Sequence, residues 1–409
     1  MKIALGMIIS SLDCEKQLMS FIENAEKYGH KLDCVILAHT HKNNPKAEQK
    51  IRNKVTLFTI SNSNPSYCKE QMQIRGISEN TAKTLLECPV DSSCGLVPYG
   101  FNRTLVVTEA ILRGIDILFF VDSDVYPKVL AKTQNGHMLK EIDFFTGHLK
   151  HLSSDADITT GEYSGYNILP PAKFDAMEAF LDGVQKPEML EYWQTSETHR
   201  SLTVEADEAV ESDEADNADK AVNAVNADEA DKLKQKPKPC SKVLGGNLAI
   251  RLSSFAKLSP FFSSYYTYND ERFLCRGEDT MLGVGIAQNN VKCVDIGLRP
   301  LHDTYKNYPS EPNLQTDKMV QERFYYACTG WVGRNPLYNH ILKNDIQSTR
   351  EHQRVCLEKG LQALASYTSN PKFNEVLRNF DASWNSLTRY ISELEQICEA
   401  WQNFTDRVL

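Results

Sequence analysis

The chain has 409 residues, 41% hydrophobic and 24% charged, which is enough to bury one large core with appended parts at roughly 100–200 residues per domain. Its formal net charge is -9, so no global positive field exists to hold a phosphate backbone or an anionic membrane, and nucleic acid is not an expected partner. Eleven cysteines, among them Cys14, Cys34, Cys68, Cys88 and Cys94, are scattered without CxxC pairs or CxxxH spacing; this argues against a zinc site and reads as reduced thiols.

In chain order, residues 3–10 (IALGMIIS) form an apolar run that predicts a first strand and is far too short to span a bilayer. Lys2 before that run mimics a signal peptide. No small-residue cleavage site follows it, however, and Asp13 to Lys16 are charged, so the expectation is a cytoplasmic protein without a transmembrane segment. Residues 15–28 have helical character, 32–38 (LDCVILA) and 55–61 (VTLFTIS) predict further strands, and a long connection runs from Ser61 to Tyr99. A helix is expected at about 102–113, closed by Gly114, then a strand at 116–121 (DILFFV). Strands spaced by helices imply a mostly parallel sheet in an α/β domain.

From about Leu202 to Pro239 the composition changes to near-repeats of Ala, Asp, Glu, Asn and Lys without any aromatic. Such a segment cannot bury enough surface to offset the entropy of ordering, and it reads as a solvated insertion. The chain therefore divides into 1–201 and 240–310 as two parts of one catalytic domain, 202–239 as the acidic insertion and 311–409 as a helical C-terminal region. In that last region Phe380, Trp384, Leu387, Ile391, Leu394, Trp401 and Phe404 make an amphipathic stripe, which predicts either a helix packed on the catalytic domain or a seam of a homodimer.

Asp122-Ser123-Asp124 is the strongest chemical signal. It follows the apolar strand directly, and in an open α/β sheet ligands bind beyond the carboxyl ends of the strands. Two carboxylates spaced i, i+2 in a turn can hold a hard cation that grips a diphosphate and neutralises the charge developing on a departing nucleoside diphosphate. Gly245-Gly246-Asn247 would let backbone approach a sugar or pyrophosphate closely. Arg276-Gly277-Glu278-Asp279-Thr280 opens a predicted helix, so Glu278 and Asp279 sit at the positive end of a dipole that favours their ionised form, suited to a general base on an acceptor hydroxyl. His302, after the apolar run VKCVDIGL, also stands at a strand end.

Together FFVDSDVYP, GGNLAIRLSSF and CRGEDTMLGVGIAQNN resemble the GT-A glycosyltransferases, and the order is similar to the family 2 pattern of an aspartate pair, a GGN turn and an ED pair. The resemblance spans residues 1–310 apart from the insertion. It implies a GT-A nucleotide-diphospho-sugar-binding domain and transfer of a hexose to a carbohydrate or other hydroxyl acceptor with Mn²⁺ or Mg²⁺. It places Asp122 and Asp124 at the metal, Ser10, Asn102, Arg103, Asp122, Gly246 and Asn247 at the donor, and Asp279, beside Glu278, as the base of an inverting reaction. The DSD triplet, Gly161-Glu162-Tyr163 and His302 also resemble retaining GT-A enzymes that glycosylate small hydroxy acids, where the late histidine completes the metal shell. Two other readings remain open. A strand followed by DxD also opens haloacid-dehalogenase-type phosphatases, which carry glycine and threonine after the second aspartate where this chain has Val125 and Tyr126. A sugar-binding protein on a degenerate transferase fold would have no use for five clustered acidic and imidazole groups.

Overall fold

The computed structural model describes residues 1–10, 15–40, 44–90, 96–133, 136–190, 204–205, 237–306 and 308–409. The strands are β1 (Ile3–Ile9), β2 (Cys34–His39), β3 (Leu57–Ser61), β4 (Ile117–Val121), β5 (Val125–Tyr126), β6 (Lys128–Thr133), β7 (Gly136–Glu141), β8 (Ile158–Thr160), β9 (Val204–Glu205), β10 (Lys238–Pro239), β11 (Leu248–Arg251), β12 (Tyr265–Tyr268), β13 (Glu271–Leu274), β14 (Cys293–Asp295) and β15 (Leu301–His302). The helices are α1 (Glu15–Lys27), α2 (Pro45–Arg52), α3 (Ser66–Ile74), α4 (Glu79–Leu86), α5 (Tyr99–Leu112), α6 (Phe145–Ser154), α7 (Met177–Gly183), α8 (Glu278–Gln288), α9 (Lys318–Ile341), α10 (Ile346–Thr368), α11 (Glu375–Asn385) and α12 (Leu387–Val408).

Eight strands form one sheet in the order β10-β14-β8-β11-β4-β1-β2-β3. β1 pairs in parallel with β2 and β4, and β2 with β3, whereas β11 runs antiparallel between β4 and β8. The period-2 geometry of a strand sorts side chains onto two faces. Ala4, Ile8, Ile36, Leu118 and Phe120 pack under α5, α3, α4 and the end of α12, while Leu5, Met7, Val35, Ile117, Phe119 and Val121 pack under α1 and α6. With both faces covered, the strands can be apolar throughout, which is why ILFFV of β4 is buried at every position.

This is the α/β architecture, with a central, mostly parallel sheet and a C-terminal helical region, that the sequence predicts. The predicted first strand, first helix and β4 agree with the structure to within a residue or two. The long connection from Ser61 to Tyr99 holds two short helices, α3 and α4, that the pattern did not announce. The apolar stripe from Phe380 is split between α11 and α12 at Ser386: Phe380 and Trp384 join a third core shared with α7, α9 and α10, Leu387, Ile391 and Leu394 pack partly buried against that core, and Trp401 and Phe404 lie under the sheet. Val204–Glu205, at the start of the acidic segment, pair in parallel with β6; residues 206–236 lie outside the described residues. No described helix is long and apolar enough to cross a membrane.

Candidate active site

The chain leaves the sheet at the carboxyl end of β4 and runs directly into Asp122-Ser123-Asp124. Two backbone features then bring a distant histidine to that turn. β5 pairs antiparallel with β15, setting Val125 opposite His302, and the Asp303 N–H donates to the Asp124 carbonyl at 2.8 Å. His302 Nε2 consequently lies 3.1 Å from Asp124 Oδ1. The Thr304 hydroxyl donates its one proton to the Tyr166 carbonyl at 3.0 Å, so toward His302 Nδ1 at 3.2 Å it can only accept, which makes Nδ1 the protonated nitrogen. Nε2 therefore faces the carboxylate either as an imidazolium N–H or with a lone pair that a cation between the two would use. Tyr163 covers the imidazole, ring centroids 4.6 Å apart. Arg323 Nη2 holds the other carboxylate oxygen of Asp124 at 2.8 Å. Burial alone would raise the pKa of Asp124, but His302 and Arg323 outweigh it and hold the carboxyl well below its usual range. Burial likewise pulls His302 down, and Asp124 outweighs it, so the imidazole is raised.

Asp122 is engaged elsewhere. Arg103, only 3% exposed, donates from Nη2 to Asp122 Oδ1 at 2.7 Å, from Nε to Glu278 Oε1 at 3.2 Å and from Nη1 to the Gly245 carbonyl at 2.8 Å. A buried guanidinium held by two carboxylates and a carbonyl is satisfied in the way a desolvated charge requires. The two glycines serve this network: a Cβ on Gly245 would run into the Arg103 guanidinium, and one on Gly246 would lie 2.6 Å from both Asp122 Oδ2 and the Tyr163 hydroxyl, which accepts from the Gly246 N–H at 2.8 Å. The close approach expected of these glycines toward a ligand is thus made by the protein's own charged groups.

Gly277, at φ 101°, turns the chain into α8, whose first residues are Glu278 and Asp279. Burial and the charge of Asp279 raise Glu278 against the pull of Arg103, so the dipole expected to favour its ionised form does not prevail. Asp279 accepts from the Thr280 N–H at 2.7 Å and lines the cleft.

The cleft has a volume of about 900 Å³, and Ser10, Arg103, Asp122, Asp124, Glu278, Asp279 and His302 all line it. Three expected donor contacts do not. Asn102 is fully buried on α5 and donates to the Thr40 hydroxyl at 3.4 Å, because α5 lies flat against the sheet and turns that residue inward. Asn247 is also fully buried and ties β11 to its neighbours, donating to the Glu162 and Leu298 carbonyls at 2.9 Å each and meeting His148 Nε2 at 3.2 Å. Gly246 stands behind Asp122 and Tyr163 rather than on the lining.

Sequence reasoning missed the contribution of α9. Arg323, Trp331, Arg334, Tyr338 and, just beyond the helix end, Leu342 line the cleft. The spacing of the last four, 331, 334, 338 and 342, repeats at three and four and was legible as one helical face, but its mixture of cations and aromatics gave no apolar stripe to notice. Lys186 and Arg276 complete that side of the cleft.

The donor set of Asp124, His302 and Asp122, two carboxylates and an imidazole whose Nε2 is aimed at a carboxylate oxygen, fits a divalent cation, with Asp122 needing to turn from Arg103 to join it. Away from the cleft, Cys356, His352 and Asp182 bring ligand atoms within 4.8 Å of one another on the surface of α10 and α7, a grouping that the cysteine spacing did not suggest. Nine described cysteines are free thiols; Cys14 and Cys94 lie outside the described residues.

No family model and no curated protein matches the chain. Among solved structures it is similar to glucosyl-3-phosphoglycerate synthase from Mycobacterium tuberculosis in complex with Mn²⁺ and uridine-diphosphate-glucose (11% identity, 80% of this chain and 78% of that one, TM-score 0.35). It is also similar to residues 1–349 of TarS from S. aureus in complex with UDP-GlcNAc (11%, 95% and 92%, TM-score 0.34), and to core-mannan synthase A from Aspergillus fumigatus in its Mn/GDP form (9%, 48% and 50%, TM-score 0.23). Each is a loose likeness in outline.

Proposed function

We propose that the protein is a divalent-metal-dependent glycosyltransferase that moves a hexose from a nucleotide-diphosphate sugar to a hydroxyl acceptor. The observation that carries this reading is the DSD turn at the carboxyl end of β4 with His302 Nε2 3.1 Å from Asp124 Oδ1, inside a cleft large enough for a nucleotide sugar. Asp124, His302 and Asp122 would hold Mn²⁺ or Mg²⁺, whose chemistry when bound is to neutralise the leaving diphosphate. Arg103 positions Asp122 and Glu278 through its three bonds. Its rigidity comes from burial between the Phe120 and Phe261 rings, 5.2 and 5.8 Å away.

Asp279 is the carboxylate assigned to deprotonate the acceptor hydroxyl in an inverting reaction. Glu278 is committed to Arg103 and raised in pKa, whereas Asp279 lines the cleft with no cation bound to it among the described residues. The proximity of His302 to Asp124 supports the metal-ligand role that a retaining enzyme would also use, so the stereochemical outcome is decided by the product. The test is a screen of nucleotide-diphosphate sugars by thermal shift with Mn²⁺ or Mg²⁺, followed by turnover of the best donor. A donor at a hundred times its Kd stabilises by about 2.7 kcal/mol. Chelation with EDTA and the Asp124→Asn variant should each abolish turnover; full turnover in EDTA with no metal by elemental analysis would overturn the reading.

A further inference from the structure

Beyond the DSD turn the cleft is lined by more cations than the neighbouring carboxylates answer. Arg103, Arg323 and Lys242 are bound to Asp122, Glu278, Asp124 and Glu162, which leaves Lys306 and, on the side of α9, Arg276, Arg334 and Lys186, the last with only the mostly exposed Glu188 near it. Arg276 and Arg334 are delivered to the cleft by a reciprocal interlock. The Arg276 N–H donates to the Gly330 carbonyl at 3.0 Å, and the arginine stem crosses α9 at Gly330, where any Cβ would collide with it; Cδ is 2.8 Å from that position. In return the Arg334 stem crosses Gly277, where a Cβ would lie 2.6 Å from Cδ. Each of two glycines is thus the notch through which an arginine on the opposite element reaches the cavity.

The arginine so delivered is costly. Arg334 is 5% exposed, lies over the Tyr338 ring at 5.2 Å, and donates to Asn335 Oδ1 at 3.3 Å. Among the described residues no carboxylate comes within ion-pair distance of Arg334 or Arg276; Asp279 and Glu188 act on Arg334 only from farther off. Lys186 Nζ has the mostly exposed Glu188 at 3.5 Å. Lys186 is held below its ordinary pKa by burial and then by repulsion from Arg334. A buried guanidinium and a neighbouring ammonium that repel each other beside an open cavity are stabilised by an occupant that supplies the missing negative charge.

We propose that Arg334, Arg276 and Lys186 form a subsite for an oxyanion, a phosphate or a carboxylate, carried by the acceptor beside the hydroxyl that receives the sugar. This rests on the transferase reading, and it assigns the acceptor to the class of anionic hydroxyl compounds. Guanidinium forks suit both oxyanions, since each offers paired oxygens to parallel N–H donors.

The test uses the full chain at fixed ionic strength, titrated with inorganic phosphate and separately with acetate, against chloride as reference, both without nucleotide and with a saturating nucleoside diphosphate and Mg²⁺. The expected result is a saturable rise in Tm with phosphate or acetate that persists when the nucleotide site is filled. The stronger of the two ions identifies the oxyanion. In Arg334→Met the half-saturation point should move about tenfold or more to higher concentration, while nucleotide binding is kept. Arg276→Met and Lys186→Met, at less buried positions, provide the same reading if Arg334→Met does not fold. Equal responses in wild type and variants overturn the subsite, as does no response to either ion, or a response that disappears once nucleotide and Mg²⁺ are bound. Failure of nucleotide to bind at all, with the variant-sensitive anion response intact, would instead remove the donor reading and leave the anion site standing.

Discussion

Asp279 and His148 show how differently two ionisable side chains in one fold are used. Asp279 stands at the start of α8 facing the cleft, and Asp279→Asn keeps its size and its bond to the Thr280 N–H while removing basicity. Loss of one positioned base is expected to lower kcat by about 10²- to 10⁴-fold with donor binding retained. NMR of the product decides the matter independently, since a product that keeps the donor's anomeric configuration needs no such base. His148 is the opposite case. Fully buried on α6, it bonds the Thr159 hydroxyl at 2.8 Å and Asn247 Oδ1 at 3.2 Å, and burial pulls its pKa down to about 3 despite the bond to the Asn247 oxygen. Between its unfolded value, about 6.5, and that folded value the unfolded chain binds a proton that the native chain does not. The contribution is therefore fully present above about pH 6.5 and is lost as pH falls, at roughly 1.4 kcal/mol per unit. Urea denaturation between pH 6.5 and 5 should show that slope, and His148→Gln, which keeps an amide in place without titrating, should flatten it; an unchanged slope would show that His148 is not its source.

Among the elements, legibility followed burial on two faces. β1, β4 and all of β2 before His39 lack polar side chains because helices cover both sides of the sheet, and such runs bounded by turns are plain in a sequence; the DSD turn was legible because it ends the most apolar of them. The GGN turn was recognised as a motif but its packing was not, since nothing in Gly245 and Gly246 says that an arginine 142 residues away will fill the space beside them. α9 was harder still, because its site-facing residues mix cations with aromatics and its Gly330 acts only against Arg276 on a distant turn. The stripe on α11 and α12 could be read either as core or as seam, and packing within the chain accounts for its four aromatic residues. Trp401 is 2% exposed, with Phe255 and Phe404 ring centroids at 5.6 and 5.4 Å, and donates from its indole to the Phe255 carbonyl at 3.3 Å. Trp401→Ala is accordingly expected to cost about 3–5 kcal/mol of folding stability with no change of mass by light scattering. A variant of altered mass and near-normal stability would mean that the stripe serves association instead.

At the scale of the whole molecule the cleft is assembled from both sides of the acidic segment: the DSD turn precedes it, while Gly245, α8, His302 and α9 follow it. The sheet itself joins across the same gap, with β11 inserted between β4 and β8. The native contacts that close this arrangement are therefore long-range pairings, and the segment's own residues have a composition that cannot build a core. Its first residues are an exception, because Val204 and Glu205 pair with Ala131 and Lys132 of β6, so a deletion beginning at Val204 would remove a strand. Replacing residues 206–236 by a short Gly/Ser linker keeps β9 and β10 and changes only the length of a connection. Loop-closure entropy varies as the logarithm of length, at about 0.6 kcal/mol per doubling, so folding stability should change by about 1 kcal/mol or less and turnover should stay within about twofold of the full chain. The measurements are urea denaturation and kcat with the best donor from the screen. A loss of soluble protein would show that the segment contributes to the fold. Intact folding with turnover lost would show that it reaches the cleft and takes part in binding.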